Sequence, residues 1–357
     1  MTLTQKKEII MLGCFSEDSK RGGIKTFVDS LSSFLNENGY KILKIPQSQI
    51  ARSSYSCLIK TKIDSLTMKI PPSAIAIAQR PDGLLMFKTS NRKNKTICVM
   101  HSDNLKQIDM KKNKVVAKIF RIMEKQGLKK ADRIVCVDQS TFNIYVKKYP
   151  WIKSKVVVIP VGVNASVFVP VDKSKCRKEF CIPDGSKVML VVARLEKEKN
   201  VSGAIELVRD HFDFENHLLL IVGIGTQEQK LKEMAKGIKN AKVKFLGQIQ
   251  HETLPKIISA SDVVIVPSLL ESGPLIIIEA MACGVPAVST NVGRAKIFIA
   301  DTGCGSVVDA VNNEFAEKVK TILYSNISVK EICIERVKMF SFHNTGVETM
   351  KLIEELS

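Results

Sequence analysis

The sequence predicts an α/β protein built from two doubly wound, Rossmann-like domains. Short apolar runs recur along the whole chain, and each has the length of a buried strand. Several runs are followed by a glycine-containing turn and then by apolar residues at helical spacing, which is how a doubly wound domain opens. At 357 residues the chain is long enough for two domains that each bury a core.

The first half of the chain alternates strands with amphipathic helices. We expect strands at 7–14, 74–77, 96–100 and 132–138, and helices at 26–38, 111–130 and 139–149. Apolar residues lie on one face of the helix at 26–38, and Gly39 marks its end. A strand beginning at Val156 closes this domain, which we place at residues 1–165.

The second half restarts the same alternation. We expect strands at 188–193, 218–222, 243–246, 262–267 and 287–290, then a turn at Gly303 and Gly305 and a helix at 313–325. This second domain spans 166–340 in our interpretation, and residues 341–357 form a last helix.

The positive charge is concentrated in the first half. The chain has a net charge of +18, from 54 Lys and Arg against 36 Asp and Glu. Residues 1–170 contain 30 of these basic and 12 of these acidic residues, so the rest of the chain is neutral. An excess confined to one half indicates an acidic partner for that half.

Other compositional features indicate a cytoplasmic protein. The nine cysteines are scattered, and Cys176 and Cys181 have no second pair at zinc-ligand spacing, so we expect reduced thiols. The apolar run at 9–15 is too short for a signal peptide, and no run approaches the roughly 18–20 residues that a membrane span needs.

The most informative stretch is PSLLESGPLIIIEAMACGVPAVST at 267–290. Ser272 suits a helix N-cap, Pro274 suits the first helical turn, and Gly284 suits the left-handed residue that ends a helix. We therefore expect a loop at 271–273 and a buried helix from about 274 to 283. Two carboxylates, Glu271 and Glu279, lie in this segment with seven residues between them.

This arrangement suits a nucleotide sugar. A helix start beside a glycine offers free backbone N–H groups and the positive end of the helix dipole, which favour a phosphate. Two vicinal sugar hydroxyls would satisfy both oxygens of Glu279, and Glu271 would face whatever is attached to the phosphate. The residues alone leave two alternatives open, a helix with an incidental glutamate and a strand through LIIIE.

The segment ESGPLIIIEAMACGVPAV closely resembles the donor-site signature of retaining glycosyltransferases of the GT-B fold, glycosyltransferase family 4. The resemblance implies two Rossmann-like domains that face a central cleft. It implies that Glu279 binds the ribose hydroxyls and that Glu271 contacts the donor sugar. It also implies that the diphosphate and the sugar meet the backbone of Ser272, Gly273, Pro274 and Leu275.

Arg194 and Lys199 follow a buried strand and are suited to clamp a diphosphate, although an ordinary charged loop has the same composition. The stretch ARLEKEKN resembles the family's GRL-x-x-x-KG segment, with Ala193 and Asn200 in place of its glycines. Asn tolerates a left-handed backbone, so Asn200 fits its position. The resemblance implies that Arg194 and Lys199 stabilise the departing diphosphate.

Turns after three other strands complete the expected donor site. They contain Gly22 and Gly23, Gly223, and Gln248 with Ile249. The resemblance implies that the first turn lies near the donor phosphates and the acceptor, and that the last lies beside the nucleobase. Without the resemblance these turns need no function, because a lone G-x-G lacks the third glycine of a dinucleotide fingerprint.

His101 directly follows the strand at 96–100, and the carboxyl ends of parallel strands face the ligand crevice. A structural histidine is the alternative. The family commonly has a His at this strand end that reaches the donor sugar, and the upstream QRPDGL resembles its companions. We therefore include His101 with Glu271, Arg194 and Lys199 among the expected catalytic residues.

We accordingly expect a retaining glycosyltransferase that moves a sugar from a nucleotide diphosphate to an acceptor hydroxyl, on a lipid-linked or cell-surface glycan precursor. No D-x-D cluster is available for a metal, so we expect no metal and no cofactor. A GT-B nucleotide-sugar epimerase and a pyridoxal-phosphate-dependent phosphorylase are the enzymatic alternatives. A basic nucleic-acid-binding protein is a third, but the basic half lacks interleaved aromatic residues, so we expect no nucleic-acid partner.

The helix at 111–130 also suggests a membrane partner. Its cations Lys111, Lys114, Lys118, Arg121, Lys125 and Lys129 share one narrow arc that only Glu124 interrupts. A second arc, formed by Val115, Val116, Ile119, Phe120 and Met123, is expected to pack on the sheet. We expect the basic arc to dock peripherally on an anionic membrane, at its cytoplasmic face.

Overall fold

The structure is a computed structural model that describes residues 8–13, 23–46, 63, 66–67, 69–90, 93–101, 114–271, 273–299 and 302–357. The chain divides into two compact units. The first comprises Met1–Val161 together with Phe342–Ser357, and the second comprises Gly162–Ser341. The helix that begins at Phe342 therefore belongs to the first unit, although it is last in the sequence.

The first unit contains a six-stranded parallel sheet with the strand order β2-β1-β3-β4-β5-β6. Its strands are β1 (Glu8–Gly13), β2 (Lys41–Pro46), β3 (Ile75–Ala78), β4 (Thr96–Met100), β5 (Arg133–Cys136) and β6 (Val156–Val158). The helices described before the boundary are α1 (Gly23–Glu37), α2 (Pro81–Thr89), α3 (Lys114–Lys130) and α4 (Gln139–Lys148). The sequence analysis did not predict β2 or α2.

The last helix, α13 (Phe342–Glu355), packs on α1 within this unit. The rings of Phe342 and Phe27 lie edge to face, with centroids 6.1 Å apart. A Cβ atom at Gly346 would lie 2.5 Å from the ring of Phe34, so only a glycine permits this close approach. Thr345 Oγ1 donates a hydrogen bond of 2.7 Å to the backbone oxygen of Pro160.

The second unit contains another six-stranded parallel sheet, with the order β12-β11-β10-β7-β8-β9. Its strands are β7 (Lys187–Val192), β8 (His217–Val222), β9 (Lys242–Gly247), β10 (Val263–Val266), β11 (Ala287–Thr290) and β12 (Gly305–Val308). Alternate residues of β7 enter separate apolar clusters, Leu190 in one and Met189 and Val191 in the other, because successive strand side chains point to opposite faces. The sheet is therefore buried on both sides.

Eight helices are described in the second unit. They are α5 (Lys173–Glu179), α6 (Val201–His211), α7 (Glu228–Ala235), α8 (Leu254–Ala260), α9 (Leu275–Ala282), α10 (Ala295–Ile299), α11 (Asn313–Tyr324) and α12 (Lys330–Val337). The expected turn at Gly303 and Gly305 leads directly into an edge strand, β12, which the sequence analysis missed. Only α9, α11 and the strands β7–β11 had been predicted here.

The orientation of α3 differs from the prediction. Val115 and Ile122 are 65% and 55% exposed, and Ile119 is also exposed, whereas Ala117, Phe120 and Leu128 are buried. Glu124 is buried as well and does not interrupt the basic surface. Its carboxylate accepts hydrogen bonds from Tyr145, Tyr149 and Lys148, at 3.0, 3.1 and 2.9 Å. The buried partners of Glu124 rotate the helix, so that apolar and basic side chains share its outer surface.

Among the described helices, none has the length and hydropathy that a membrane span requires. The described Cys, His, Asp and Glu side chains do not form a group of three or more that could hold a metal ion.

Candidate functional site

The candidate donor site lies at the carboxyl edge of the second sheet. Strands β7 and β10 are neighbours there, while the chain runs from β7 outward to β9 and returns to β10. Such a topological switch point leaves a crevice between the two loops that follow the central strands, and ligands of doubly wound sheets bind in this crevice. Arg194 and Lys199 follow β7, and Glu271 follows β10.

The two loops are tied together by backbone and side-chain hydrogen bonds. The backbone N–H of Leu269 donates to the oxygen of Glu198, at 2.9 Å. Asn200 Nδ2 donates to the oxygen of Pro267, at 3.1 Å. Asn200 has φ 49 and ψ 40, so it adopts the left-handed conformation that the family's glycine would adopt, and this expectation is confirmed.

Lys199 and Glu271 form an ion pair across the two loops. Both side chains are largely buried, and Ser268 Oγ donates a further hydrogen bond of 3.4 Å to the same carboxylate oxygen. Arg194 lies in a different environment, because its side chain is 57% exposed and only reaches Glu198 in its own loop, at 3.3 Å. The structure thus brings Lys199 and Glu271 into contact and leaves Arg194 at the surface.

Helix α9 begins beside this ion pair, and its start differs in detail from the prediction. Pro274 occupies the N-cap position and no side chain caps the helix, whereas Ser272 had been expected there and lies outside the described residues. The helix runs from Leu275 to Ala282, and Gly284 has φ +75, the predicted left-handed stop. The N–H of Ile277 donates to the backbone oxygen of the N-cap residue Pro274, at 3.0 Å. The N–H groups of Leu275 and Ile276 precede it in the first turn, have no intrahelical acceptor and suit an anionic ligand.

Glu279 lies one turn into α9, with its side chain mostly but not completely buried. His251 Nε2 lies 3.9 Å from its Oε1, and this nitrogen is buried without a hydrogen-bond partner among the described residues. The ring of His251 also packs edge to face on Phe168, with centroids 5.0 Å apart. The sequence analysis missed His251, because no local pattern relates it to a glutamate 28 residues later.

The other donor-site residues of the second unit surround the same strand ends. Gly223 has φ +134, and a Cβ atom there would lie 1.8 Å from the backbone oxygen of Ala193. Its N–H donates to the oxygen of Gly247, at 2.7 Å, so the ends of β7, β8 and β9 converge on this glycine. Gln248 is exposed beyond Gly247, and Ile249 is half-buried against the core.

Three predicted site residues belong to the first unit. Gly23 begins α1 and is exposed, whereas Gly22 lies outside the described residues. His101 follows β4, and its Nε2 is 2.8 Å from the side-chain oxygen of Gln79, which follows β3. The ring also packs edge to face on Phe27, at 5.1 Å between centroids. Burial lowers the pKa of His101 to about 4, so the imidazole is neutral at physiological pH.

Comparison with protein families matches the two units separately. The model described as glycosyl transferases group 1 matches residues 172–339, and the model described as Glycosyltransferase Family 4 matches residues 21–167.

Individual relatives in the comparison are named as glycosyltransferases. The UDP-Gal:alpha-D-GlcNAc-diphosphoundecaprenol alpha-1,3-galactosyltransferase of Escherichia coli is 27% identical over 219 residues, which are 59% of this chain and 56% of that protein. The D-inositol 3-phosphate glycosyltransferase of Mycobacteroides abscessus is 29% identical over 231 residues, 62% of this chain and 52% of that protein. The chain thus spans about half the length of the relatives that it matches.

Solved structures match the whole chain in fold. Sucrose-phosphate synthase from Thermosynechococcus elongatus gives a TM-score of 0.80 at 19% identity, over 98% of this chain and 99% of that chain. WaaG, a glycosyltransferase involved in lipopolysaccharide biosynthesis, gives 0.74 at 14% identity, over 97% and 99%. The two parallel-sheet units therefore have the GT-B fold of these proteins.

Proposed function

Because this chain belongs to glycosyltransferase family 4, the glycosyl transferases group 1, we propose that it transfers a sugar from a nucleotide diphosphate to an acceptor hydroxyl with retention of anomeric configuration. One observation carries the proposal. At the switch point of the second sheet, Lys199 pairs with Glu271 beside the uncapped start of the helix that carries Glu279, and the exposed Arg194 follows the same strand as Lys199. A nucleotide sugar offers a partner to each of these groups. Its diphosphate suits the cations and the helix start, and the hydroxyls of its ribose and sugar suit the carboxylates.

The leaving group determines the roles of the cations. When the bond from the sugar to the diphosphate breaks, negative charge develops on the departing oxygen while the sugar becomes cationic. Lys199, Arg194 and the N-terminus of α9 stabilise that negative charge in our proposal, so the residues of this chain supply the stabilisation without a metal or cofactor. Lys199 exchanges its partner Glu271 for the diphosphate, and Arg194 swings from the surface, where its exposure leaves it free to move.

The carboxylates recognise hydroxyl groups in the same proposal. Glu279 accepts hydrogen bonds from the two ribose hydroxyls, and His251, whose Nε2 lies 3.9 Å from Glu279 Oε1, helps to hold this carboxylate in place. Once Lys199 has turned to the diphosphate, Glu271 contacts the donor sugar. His101 contacts a hydroxyl of the sugar as a neutral imidazole. Gly23, Gly223, Gln248 and Ile249 shape the surroundings of the phosphates and the nucleobase.

A thermal-shift series with UDP, GDP, ADP and their sugars tests the donor site first. We expect one base to raise the unfolding temperature more than the others. Transfer to acceptors is then followed by nuclear magnetic resonance, which gives the anomeric configuration of the product. Stabilisation by none of the nucleotides would overturn the proposal. Release of free or epimerised sugar without any acceptor would instead identify the epimerase alternative.

For the acceptor we propose a lipid-linked or cell-surface glycan precursor, reached by peripheral docking on an anionic membrane at the cytoplasmic face. The exposed surface of α3 supports it, and we call this surface the α3 outer face. It combines apolar and basic side chains, namely Val115, Ile119 and Ile122 with Lys118, Arg121, Lys125 and Lys129. The name of the Escherichia coli relative contains a diphosphoundecaprenol acceptor, which is consistent with this class.

The mixture of side chains on the α3 outer face suits an interfacial helix. Its apolar residues would enter the boundary between headgroups and acyl chains, while each cation near an acidic leaflet contributes about 1 kcal/mol. Two variants separate these contributions. One replaces Lys118, Arg121, Lys125 and Lys129 with Gln, and the other replaces Ile119 and Ile122 with Ser.

Flotation with anionic and neutral vesicles measures the docking. We expect the Gln variant to lose salt-sensitive flotation, and the Ser variant to lose the part that persists in high salt. A matched control replaces four exposed lysines of the second unit with Gln, namely Lys230, Lys236, Lys239 and Lys242, and should float like the original protein. Docking is disproved if the original protein does not float with anionic vesicles.

A further inference from the structure

Gln79 lies at the switch point of the first sheet. Strands β1 and β3 are neighbours there, and the chain passes outward to β2 between them. Gln79 directly follows β3, and its backbone N–H donates to the oxygen of Leu12 in β1, at 3.0 Å. It therefore occupies the place in its sheet where doubly wound domains bind ligands. Its side chain is almost completely buried, with 2% of the residue exposed.

The amide of Gln79 determines which nitrogen of His101 carries the proton. Its oxygen lies 2.8 Å from His101 Nε2, and an amide oxygen can only accept a hydrogen bond. With the amide in this orientation, the Nε2 of the neutral imidazole carries the proton, and Nδ1 is left as a hydrogen-bond acceptor. The edge-to-face contact with Phe27 restricts the ring in addition.

The nitrogen end of the same amide lacks a partner within the part of the chain that the structure describes. Gln79 Nε2 is buried and makes no hydrogen bond to any described residue. A buried amide nitrogen normally donates two hydrogen bonds, and an unsatisfied one lowers the stability of the protein. Its presence at a ligand-binding edge, beside a histidine whose acceptor nitrogen is defined, indicates that a ligand oxygen completes the arrangement.

We propose that Gln79 positions His101 and donates a hydrogen bond to a hydroxyl of the sugar that His101 contacts. The amide oxygen holds His101 with Nε2 protonated, and the amide nitrogen and His101 Nδ1 offer one donor and one acceptor to the sugar. Separate hydroxyls of the sugar would satisfy the two groups, because Nδ1 faces away from the ring nitrogen that contacts Gln79. The identity of the ligand as a sugar rests on the proposed function, but the tautomer of His101 does not.

Two substitutions of Gln79 separate its two roles. Gln79→Glu retains an acceptor for His101 Nε2 but removes the amide N–H groups. Gln79→Leu has a similar volume and removes both. Nitrogen-15 nuclear magnetic resonance of the resting protein reports the protonation of the imidazole. We expect Nε2 to be protonated in the original protein and in the Glu variant, and the Leu variant to contain a mixture of tautomers.

Transfer kinetics test the contact with the sugar. One hydrogen bond between neutral groups is worth roughly a two- to tenfold change in rate, so we expect kcat to fall by about that factor in the Glu variant and by more in the Leu variant. The affinity for the free nucleoside diphosphate should not change in either variant, because it contains no transferred sugar. If Gln79 had only a structural role, its substitution would change the unfolding temperature. It would not lower kcat selectively while leaving the nucleotide affinity unchanged.

The outcomes distinguish this inference from the proposed function. Unaltered tautomers in the Leu variant would overturn the positioning role, and full transfer by the Glu variant would overturn the sugar contact. If the original protein transfers no sugar, the proposed function and the sugar contact fail together, whereas the resonance measurement still decides the positioning role. If the Leu variant does not fold, the double variant Gln79→Glu with His101→Asn is compared with the two single variants. Effects of the two substitutions on kcat that simply multiply would contradict the proposal, because residues that act together are coupled.

Discussion

In the first unit the residues that follow β3 and β4, Gln79 and His101, are neutral and hydrogen-bonded to each other. In the second unit the loops after β7 and β10 bring Lys199 and Glu271 into an ion pair. Both sheets are six-stranded and parallel, and both have a switch point at this edge. The same architecture therefore presents neutral hydrogen-bonding groups in one unit and charged groups in the other.

This difference is consistent with what each edge would recognise under the proposed function. A phosphate requires cations and free N–H groups, which the second edge supplies. A sugar hydroxyl is neutral and both donates and accepts, so an amide and an unprotonated imidazole suit it better than charges would. Gln79 and His101 are neutral and contribute nothing to the excess positive charge of the first half. The cations of the α3 outer face do contribute to it. Net charge alone consequently does not identify which edge binds the anionic ligand.

Lys199 provides the largest expected effect. Lys199→Gln removes a cation from the leaving group and deprives Glu271 of its partner, so kcat should fall about 100- to 1,000-fold. Binding of a nucleoside diphosphate should weaken more than binding of the monophosphate, which isothermal calorimetry can measure. Lys197→Gln, an exposed lysine in the same short segment, is the matched control and should transfer normally. Equal losses for both nucleotides would contradict a diphosphate contact.

Glu279→Ala tests whether the second edge also recognises the ribose. Each lost charge-assisted hydrogen bond is worth at most about 1.5–3 kcal/mol, so nucleotide affinity should fall by up to roughly ten- to 150-fold for each ribose hydroxyl that loses its contact. A nucleotide without the two ribose hydroxyls provides a sharper measurement. The original protein should bind this analogue weakly, while the variant should bind both nucleotides alike. If the loss of affinity from Glu279→Ala and the loss from removing the ribose hydroxyls are simply additive, Glu279 does not bind the ribose.

His101→Ala tests the neutral edge. Loss of one hydrogen bond between neutral groups should lower the transfer rate by about tenfold or less and should leave affinity for the free nucleoside diphosphate unchanged. Direct rate measurement and calorimetry on the same preparation give the two values. A variant with full transfer activity would return His101 to a structural role and would remove the functional contrast between the two edges.

The last expected effect concerns stability at acid pH and leaves the transfer reaction aside. The pKa of His101 is lowered by burial to about 4, from an ordinary value of 6.5 in the unfolded chain. Between these values the unfolded state binds more protons, so the free energy of unfolding falls as the pH decreases from 6.5 to 4. In His101→Asn this fall should be smaller, although the lowered pKa of His217 preserves part of it. Denaturant titrations at several pH values measure the difference, and identical slopes would refute it.

Local pattern was sufficient for much of the second unit. The strands β7, β8, β9, β10 and β11 were predicted to within about two residues, because parallel strands buried on both faces form continuous apolar runs. The helix α9 was predicted from its glycine stop and apolar content, although Pro274 rather than Ser272 holds its N-cap position. Short helices such as α5 and α8 were missed, since seven residues carry too little periodicity.

The sequence by itself determined the alternation of strands and helices, the donor signature around Glu271 and Glu279 and the left-handed Asn200, because these depend on residues close together along the chain. The tertiary structure decided which side of α3 is buried, because Tyr145 and Tyr149, which contact Glu124, come from another helix. It also paired Lys199 with Glu271, His251 with Glu279 and Gln79 with His101. The first and third of these pairs join the ends of neighbouring strands, β7 with β10 and β3 with β4, and only the order of strands in the sheet brings such ends together. His251, beyond β9, reaches Glu279 within α9, so that pair depends on how the helix packs rather than on a local pattern.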